Sequence, residues 1–125
     1  MSNIILSKNF QAGAAITAFT LVKHGGADDQ VVAAAAGADL VIGATQDIAP
    51  AINERVDIAQ LGLAYITAGA AVARGKRLMS DASGRVIEAA ASAGTNVNTI
   101  GVAQESASAL GDVIKVLLVP GTFQG

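Results

Sequence analysis

The segment Ala12-Gly13-Ala14-Ala15-Ile16 returns as Ala68-Gly69-Ala70-Ala71-Val72, 56 residues further along the chain. Each copy leads through an apolar step into a Gly/Asp turn and then a short Val-rich run. In the first copy these are Leu21-Val22, Gly25-Gly26-Ala27-Asp28-Asp29 and Val31-Val32. In the second they are Leu78-Met79, Asp81-Ala82-Ser83-Gly84 and Val86-Ile87. The echo continues, with Ile42-Gly43-Ala44-Thr45-Gln46 answered by Ile100-Gly101-Val102-Ala103-Gln104 and Val56-Asp57-Ile58 by Ile114-Lys115-Val116. Two copies are too few for a solenoid, which needs about three or more stacked units. The expectation is of duplicated halves, roughly 12–61 and 68–119, sharing one core about a pseudo-twofold. Chance matching among Ala-rich segments is the competing reading.

Within each half the periodicity favours strands. Val56 to Leu61 and Val113 to Val119 are short, β-branched and bounded by Gly or Pro, as strands are. Val31-Val32, Asp39 to Ala44, Leu63 to Thr67, Arg85 to Ala89 and Val97 to Ala103 read the same way. Gly25-Gly26, Ser83-Gly84, Gly94-Thr95-Asn96 and Gly111-Asp112 are turn sequences, tolerant of positive φ or of local side-chain hydrogen bonds. The fold class expected is mainly β: a compact sandwich or barrel of short strands built from two similar halves. Helix competes only at Pro50 to Val56 and Gln104 to Leu110, for one or two turns at most. Residues 1–11 stand outside the repeat as an N-terminal arm, with 12–125 as a single β domain. The apolar run Ile4-Ile5-Leu6 after Asn3 is unusual in a segment expected to fray, and an arm that orders on a partner accounts for it.

Composition narrows the function. Hydrophobic residues make up 52% of the chain but aromatic ones only 3%, so a core of Ala, Val, Ile and Leu buries little area for its length. Self-association supplies the deficit. A net charge of −2 offers no basic field for nucleic acid and no polybasic membrane signal. The longest apolar stretch, Ala12 to Val22, is shorter than the ~20 residues of a membrane helix. Preceded by Lys8 it imitates a signal peptide, but no A-x-A-type site comes before Lys23-His24-Gly25-Gly26.

Residues that could carry chemistry are few. Gly69 to Arg77, G-A-A-V-A-R-G-K-R, misses the phosphate-binding loop, which needs four residues between its glycines and a hydroxyl after the lysine. Here there are five, and Arg77 replaces the hydroxyl. It reads as a strand-turn-strand connection with a solvated basic tip. His24 is the only histidine, and cysteine is absent, so neither a His-pair metal site nor thiol chemistry is available. Asp28-Asp29 lacks the alternating oxygen ligands of a calcium loop. No catalytic residue, cofactor or metal is expected, and the chain is read as a non-enzyme. Two alternatives stand beside this: a lipoyl- or biotinyl-like carrier, for which Lys23 and Lys76 lack the usual setting, and a small ligand-binding β module.

With these residues in view, the chain resembles the head decoration, or capsid cement, proteins of tailed bacteriophages. The resemblance covers roughly residues 10–119. It is carried by Ala12 to Ile16, Ile42-Gly43, Leu63 to Leu78, Asp81 to Gly84, Ile100 to Gln104 and Gly111 to Val116. One departure falls at Ala18-Phe19, where a small-Gly step like Arg74-Gly75 is usual, and it bears on the turn there. The resemblance implies a homotrimer on the outer surface of the virion capsid, made in the bacterial host cytoplasm. Its partners would be itself and the major capsid protein, with no nucleic acid and no membrane. The residues expected to touch the shell are Asn3, Ile4, Ile5, Leu6 and Phe10 in the arm, and Arg74, Lys76 and Arg77 in the basic window. For those cations and Arg85, a charged edge that blocks unwanted sheet pairing is the competing reading.

Overall fold

The computed structural model describes residues 3–37, 39–90 and 96–124. Nine strands follow in order: β1 (Asn3–Ala12), β2 (Leu21–His24), β3 (Gln30–Ala33), β4 (Val41–Ala44), β5 (Arg55–Thr67), β6 (Arg77–Ser80), β7 (Val86–Glu88), β8 (Asn96–Ala103) and β9 (Val113–Gln124). The protein is mainly β, and among the described residues it has no helix. The stretches where helix competed, 50–56 and 104–110, are loops and strand ends held by bridges across each half: Ile16 N–H bonds the Pro50 carbonyl at 3.0 Å and Val72 N–H the Ala107 carbonyl at 2.9 Å. The Gly94-Thr95 part of an expected turn lies outside the described residues.

The strand order β1-β3-β2-β4-β5-β9-β8-β6-β7 closes on itself early, because β1 also pairs with β5. Strands β1 to β5 thus form a small five-stranded barrel. The second half comes back the same way, with β7 reaching the end of β5 through the parallel bridge Ala68↔Val86. That bridge has its counterpart in Ala12↔Val31 of the first half. The hairpin register Val22↔Ala33, Lys23↔Val32, His24↔Val31 is repeated as Leu78↔Glu88, Met79↔Ile87, Ser80↔Val86. Phe10↔Val56 and Gln11↔Arg55 return as Ile66↔Ile114 and Thr67↔Val113.

The three non-glycine residues with positive φ each meet a glycine at the matching place. Phe19 (53°), Asp29 (61°) and Asn53 (70°) stand where the second half has Gly75 (90°), Gly84 (75°) and Gly111 (98°). The departure at Ala18-Phe19 therefore keeps its turn: Phe19 N–H reaches the Gln46 carbonyl at 2.9 Å as Gly75 N–H reaches that of Ala103 at 2.8 Å.

Strand β5 belongs to both units. The sequence reads as two strands broken near Gly62, but the chain runs straight through it at φ 104°. Its inward positions alternate as strand geometry requires, with Val56 and Ile58 filling one core and Ala64 and Ile66 the other. The shared single core expected from the sequence is two clusters. One comprises Phe10, Ala12, Ile16, Val22, Val31, Val56 and Ile58. Their counterparts Ile66, Ala68, Val72, Leu78, Val86, Ile114 and Val116 lie in the other, joined by Leu21, Ala34, Val41, Ala44 and Ala59 of the first unit.

The contact between units is head to tail and not the pseudo-twofold expected. A twofold would bury the same residues on both sides. Leu21 of the first unit is fully buried, whereas its counterpart Arg77 is exposed, and Gly84 of the second unit is buried while Asp29 is exposed. A hydroxyl network stiffens this junction. Thr45 Oγ1 accepts the Thr20 N–H at 3.0 Å and donates to the Thr17 carbonyl at 2.7 Å. Thr20 and Thr45 are buried whereas Thr17 is exposed, so Thr45→Val strands the buried Thr20 N–H. It is expected to cost about 1–3 kcal/mol, read as a shift in the urea midpoint.

Candidate interaction surface

Of residues 1–11, expected as an arm, the described part from Asn3 on lies in strand β1, paired antiparallel with β5 from Asn3↔Leu63 to Gln11↔Arg55. The amphipathic C-terminal end accounts for this, since Phe10 and Ala12 are core residues. Phe10 is 3% exposed, its ring edge-on to His24 at 6.4 Å with Lys8 Nζ 4.2 Å from its centroid. It is a packing residue and leaves the set of residues able to touch a partner.

The N-terminal end of β1 has a different character. Its pairing with β3 is confined to Gln11 and Ala12, so one edge of the strand from Asn3 to about Lys8 faces away from the named ladders among the described residues. Register shifts flank Leu6, and Ile5 is pushed out as an extra residue, 81% exposed. Such irregularities sharpen local twist and re-aim side chains. Ile4 and Leu6 accordingly line different hollows. One, about 350 Å³, is walled by Ile4, Ile5, Gly62, Leu63 and Leu117; the other, about 360 Å³, by Leu6, Leu40, Val41, Ile42, Gln60 and Leu61. Leu40, Leu61 and Leu117 escaped the sequence reading because each sits in a run that looks like ordinary core strand.

The sheet register brings the basic window towards this strand. Asn3 pairs with Leu63, Leu63 with Leu117, Leu117 with Val102, and Val102 with Arg77. From Leu63 onward, directly paired residues point outward from the second barrel, and the four steps of about 4.8 Å carry the row about 19 Å around its curved surface. Leu63, Leu117 and Val102 are half-buried, and Arg74, Lys76 and Arg77 are exposed. No ion pair among the described residues involves those three cations. Arg85 is different, because its Nε lies 3.0 Å from Asp81 Oδ2. The segment 69–76 is a loop bridged at Val72 and not the strand-turn-strand connection expected, with Arg77 opening β6.

Elsewhere on the surface, the loop Gly25–Asp29 borders an open cleft of about 590 Å³ with Lys8, Phe10, His24 and Gln60. The Lys8 ammonium, 2.7 Å from Asp29, holds that carboxyl below its usual range, as an exposed ion pair does. Of the two lysines weighed for a carrier role, Lys23 lies inside β2 and pairs with Asp39 at 3.1 Å, and Lys76 is exposed between Arg74 and Arg77. Asp39 also accepts the Ala35 N–H at 2.8 Å. That N–H first, then Lys23, keeps its carboxyl below the ordinary value against the opposing effect of burial. With the folded value depressed, the stabilisation is complete above the unfolded pKa of about 3.9 and is lost as pH falls through the folded value. Asp39→Asn is expected to be less stable than the wild type near neutral pH, with the gap shrinking below about pH 4, in denaturant titrations at both pH values.

Taken together, these features define a two-unit β scaffold whose distinctive surfaces are an exposed apolar strand edge and a cluster of exposed cations. No family model and no curated protein matches the chain. Among solved structures it is similar to the head fiber gp8.5 N base of bacteriophage phi29, with a TM-score of 0.72 at 17% sequence identity. The match covers 91% of this chain and 93% of that one.

Proposed function

We propose that this chain is a structural protein of a tailed-phage head, a homotrimer that decorates the outer surface of the capsid and stabilises it without catalysis. The observation that carries the reading is the fold likeness to a head fiber base over nearly the whole of both chains. The exposed apolar row Ile4-Ile5-Leu6 on an incompletely paired strand supplies a means of attachment. An extended segment of the major capsid protein adds alongside Asn3 to Leu6, its backbone hydrogen bonds giving affinity and the two flanking hollows giving side-chain selectivity. A trimer presents three such edges at once, so second and third contacts form at high effective concentration and resist outward pressure. The exposed Arg74, Lys76 and Arg77 offer positive charge to an acidic surface of a neighbouring chain in the assembly.

Cosedimentation of the purified protein with empty expanded heads of the phage that encodes it tests this reading. Saturable recovery in the head pellet is expected. Protein that stays in the supernatant at saturating heads would overturn it.

A further inference from the structure

The contact between the two units inside one chain serves as a template for a contact between chains. In the first unit, the face carrying Thr20, Leu21 and Ala34 is covered by the 81–84 loop of the second: the Leu21 N–H donates to the Gly84 carbonyl at 2.7 Å. A side chain added to Gly84 would meet Thr20 Cγ2 and the Ala34 carbonyl. The register equivalences assign each of these a partner in the other unit. Thr20 and Leu21 correspond to Lys76 and Arg77, Ala34 to Ala89, and the 81–84 loop to Gly25–Asp29. In the chain by itself, Lys76, Arg77 and residues 26–29 of the loop are exposed.

We infer that the Gly25–Asp29 loop of one copy seats on the Lys76–Arg77 face of the next, repeating the internal contact head to tail. The side chains that differ between the units fit this occupant. Where Gly84 faces Thr20 across the internal contact, Asp29 faces Lys76 across the external one, both loop residues having the same left-handed backbone. Half-buried Leu117 and Val102 stand where the internal contact buries Ala59 and Ala44, so the external face has more apolar surface to cover. Charge agrees as well, with three cations against six carboxylates in residues 1–61 and five against four in residues 62–125. Lys8 already pairs with Asp29, but both side chains are more than half exposed, and an exchangeable surface pair of this kind is worth at most about 1 kcal/mol. A heterologous contact closes into a ring or runs on as a filament, and the ring of three chains is the trimer proposed above. The inference rests on that self-association and leaves the β1 edge free for the shell.

Charge reversal tests it by sedimentation velocity at low and high salt. Asp28→Lys/Asp29→Lys and Lys76→Glu/Arg77→Glu should each raise the dissociation concentration by roughly tenfold or more. The chain with all four changes should regain association, and salt should weaken the wild-type oligomer. A wild type that is monomeric at every concentration removes the self-association itself. An oligomer indifferent to both double variants, or unrescued by the fourfold one, keeps the assembly and overturns these faces. Head cosedimentation of the same variants reads the shell contact separately.

Discussion

Gly101→Ala is expected to abolish the fold. A Cβ at this position lands on the Leu117 carbonyl oxygen, with the Leu117 carbonyl carbon at 2.9 Å and Leu118 Cα at 3.2 Å. All three are backbone atoms of the adjacent strand, so no rotamer change relieves the clash and β8 must move off β9. The expected loss exceeds about 4 kcal/mol, the range reached only when a core is disrupted. Gly43→Ala should behave alike, because Gly43 meets the Ala59 carbonyl oxygen in the same way. Both glycines stand at one position of the repeated unit, where only a residue without a side chain lets neighbouring strands close. Gly111→Ala is the control. It has positive φ but open space around it, so it should cost only the backbone penalty of about 1–2 kcal/mol. Urea denaturation of the three variants checks the ranking, and a Gly101→Ala protein as stable as Gly111→Ala would remove the close approach of these strands.

The second large effect concerns attachment. Ile4→Asp/Ile5→Asp places two carboxylates on the edge proposed to receive a shell strand, both bordering an apolar hollow with Leu63 and Leu117. Burying an unpaired carboxylate against apolar surface costs several kcal/mol, so head binding should fall by about a hundredfold or more. Stability should fall little, since Ile5 is exposed and Ile4 is outside both core clusters. Binding isotherms to expanded heads, beside thermal melts of the free protein, separate the two effects. Undiminished binding by a folded variant would move the shell contact off β1. Cutting away residues 1–8 is a poorer test, because Ser7 and Lys8 pair with Ala59 and Ile58 of the first barrel.

The mainly β fold was legible because β-branched runs and Gly-marked turns alternate at short intervals. The echo of Ala12 to Ile16 in Ala68 to Val72 was legible for a related reason: small residues recur where Gly13 N–H and Gly69 N–H each bond the carbonyl of a Val, Val31 and Val86, at 2.8 Å. Three things were not. Gly62 looked like a break, yet a glycine in a strand also marks a twist or an irregular register, and here β5 carries it while pairing with both β1 and β9. Phe10 looked like a surface residue in a polar terminus, but alternation along β1 turns it inward. The head-to-tail relation of the units was hidden as well, because it depends on Leu21 and Arg77 occupying one position of the repeat, and such a difference gains meaning only once the register is known. Of the surface, Ile4 to Leu6 and the basic cluster could be found in sequence as departures from their surroundings. Leu40, Leu61 and half-buried Leu117 could not, since only the tertiary arrangement brings them to the surface.

Electron cryomicroscopy of expanded heads incubated with the protein tests the central claim most directly. The account predicts trimeric density on the outer surface, each protomer two small barrels in tandem, with β1 against the shell. Bare heads, or density whose protomers meet the shell through the 81–84 hairpin with β1 facing solvent, would contradict it.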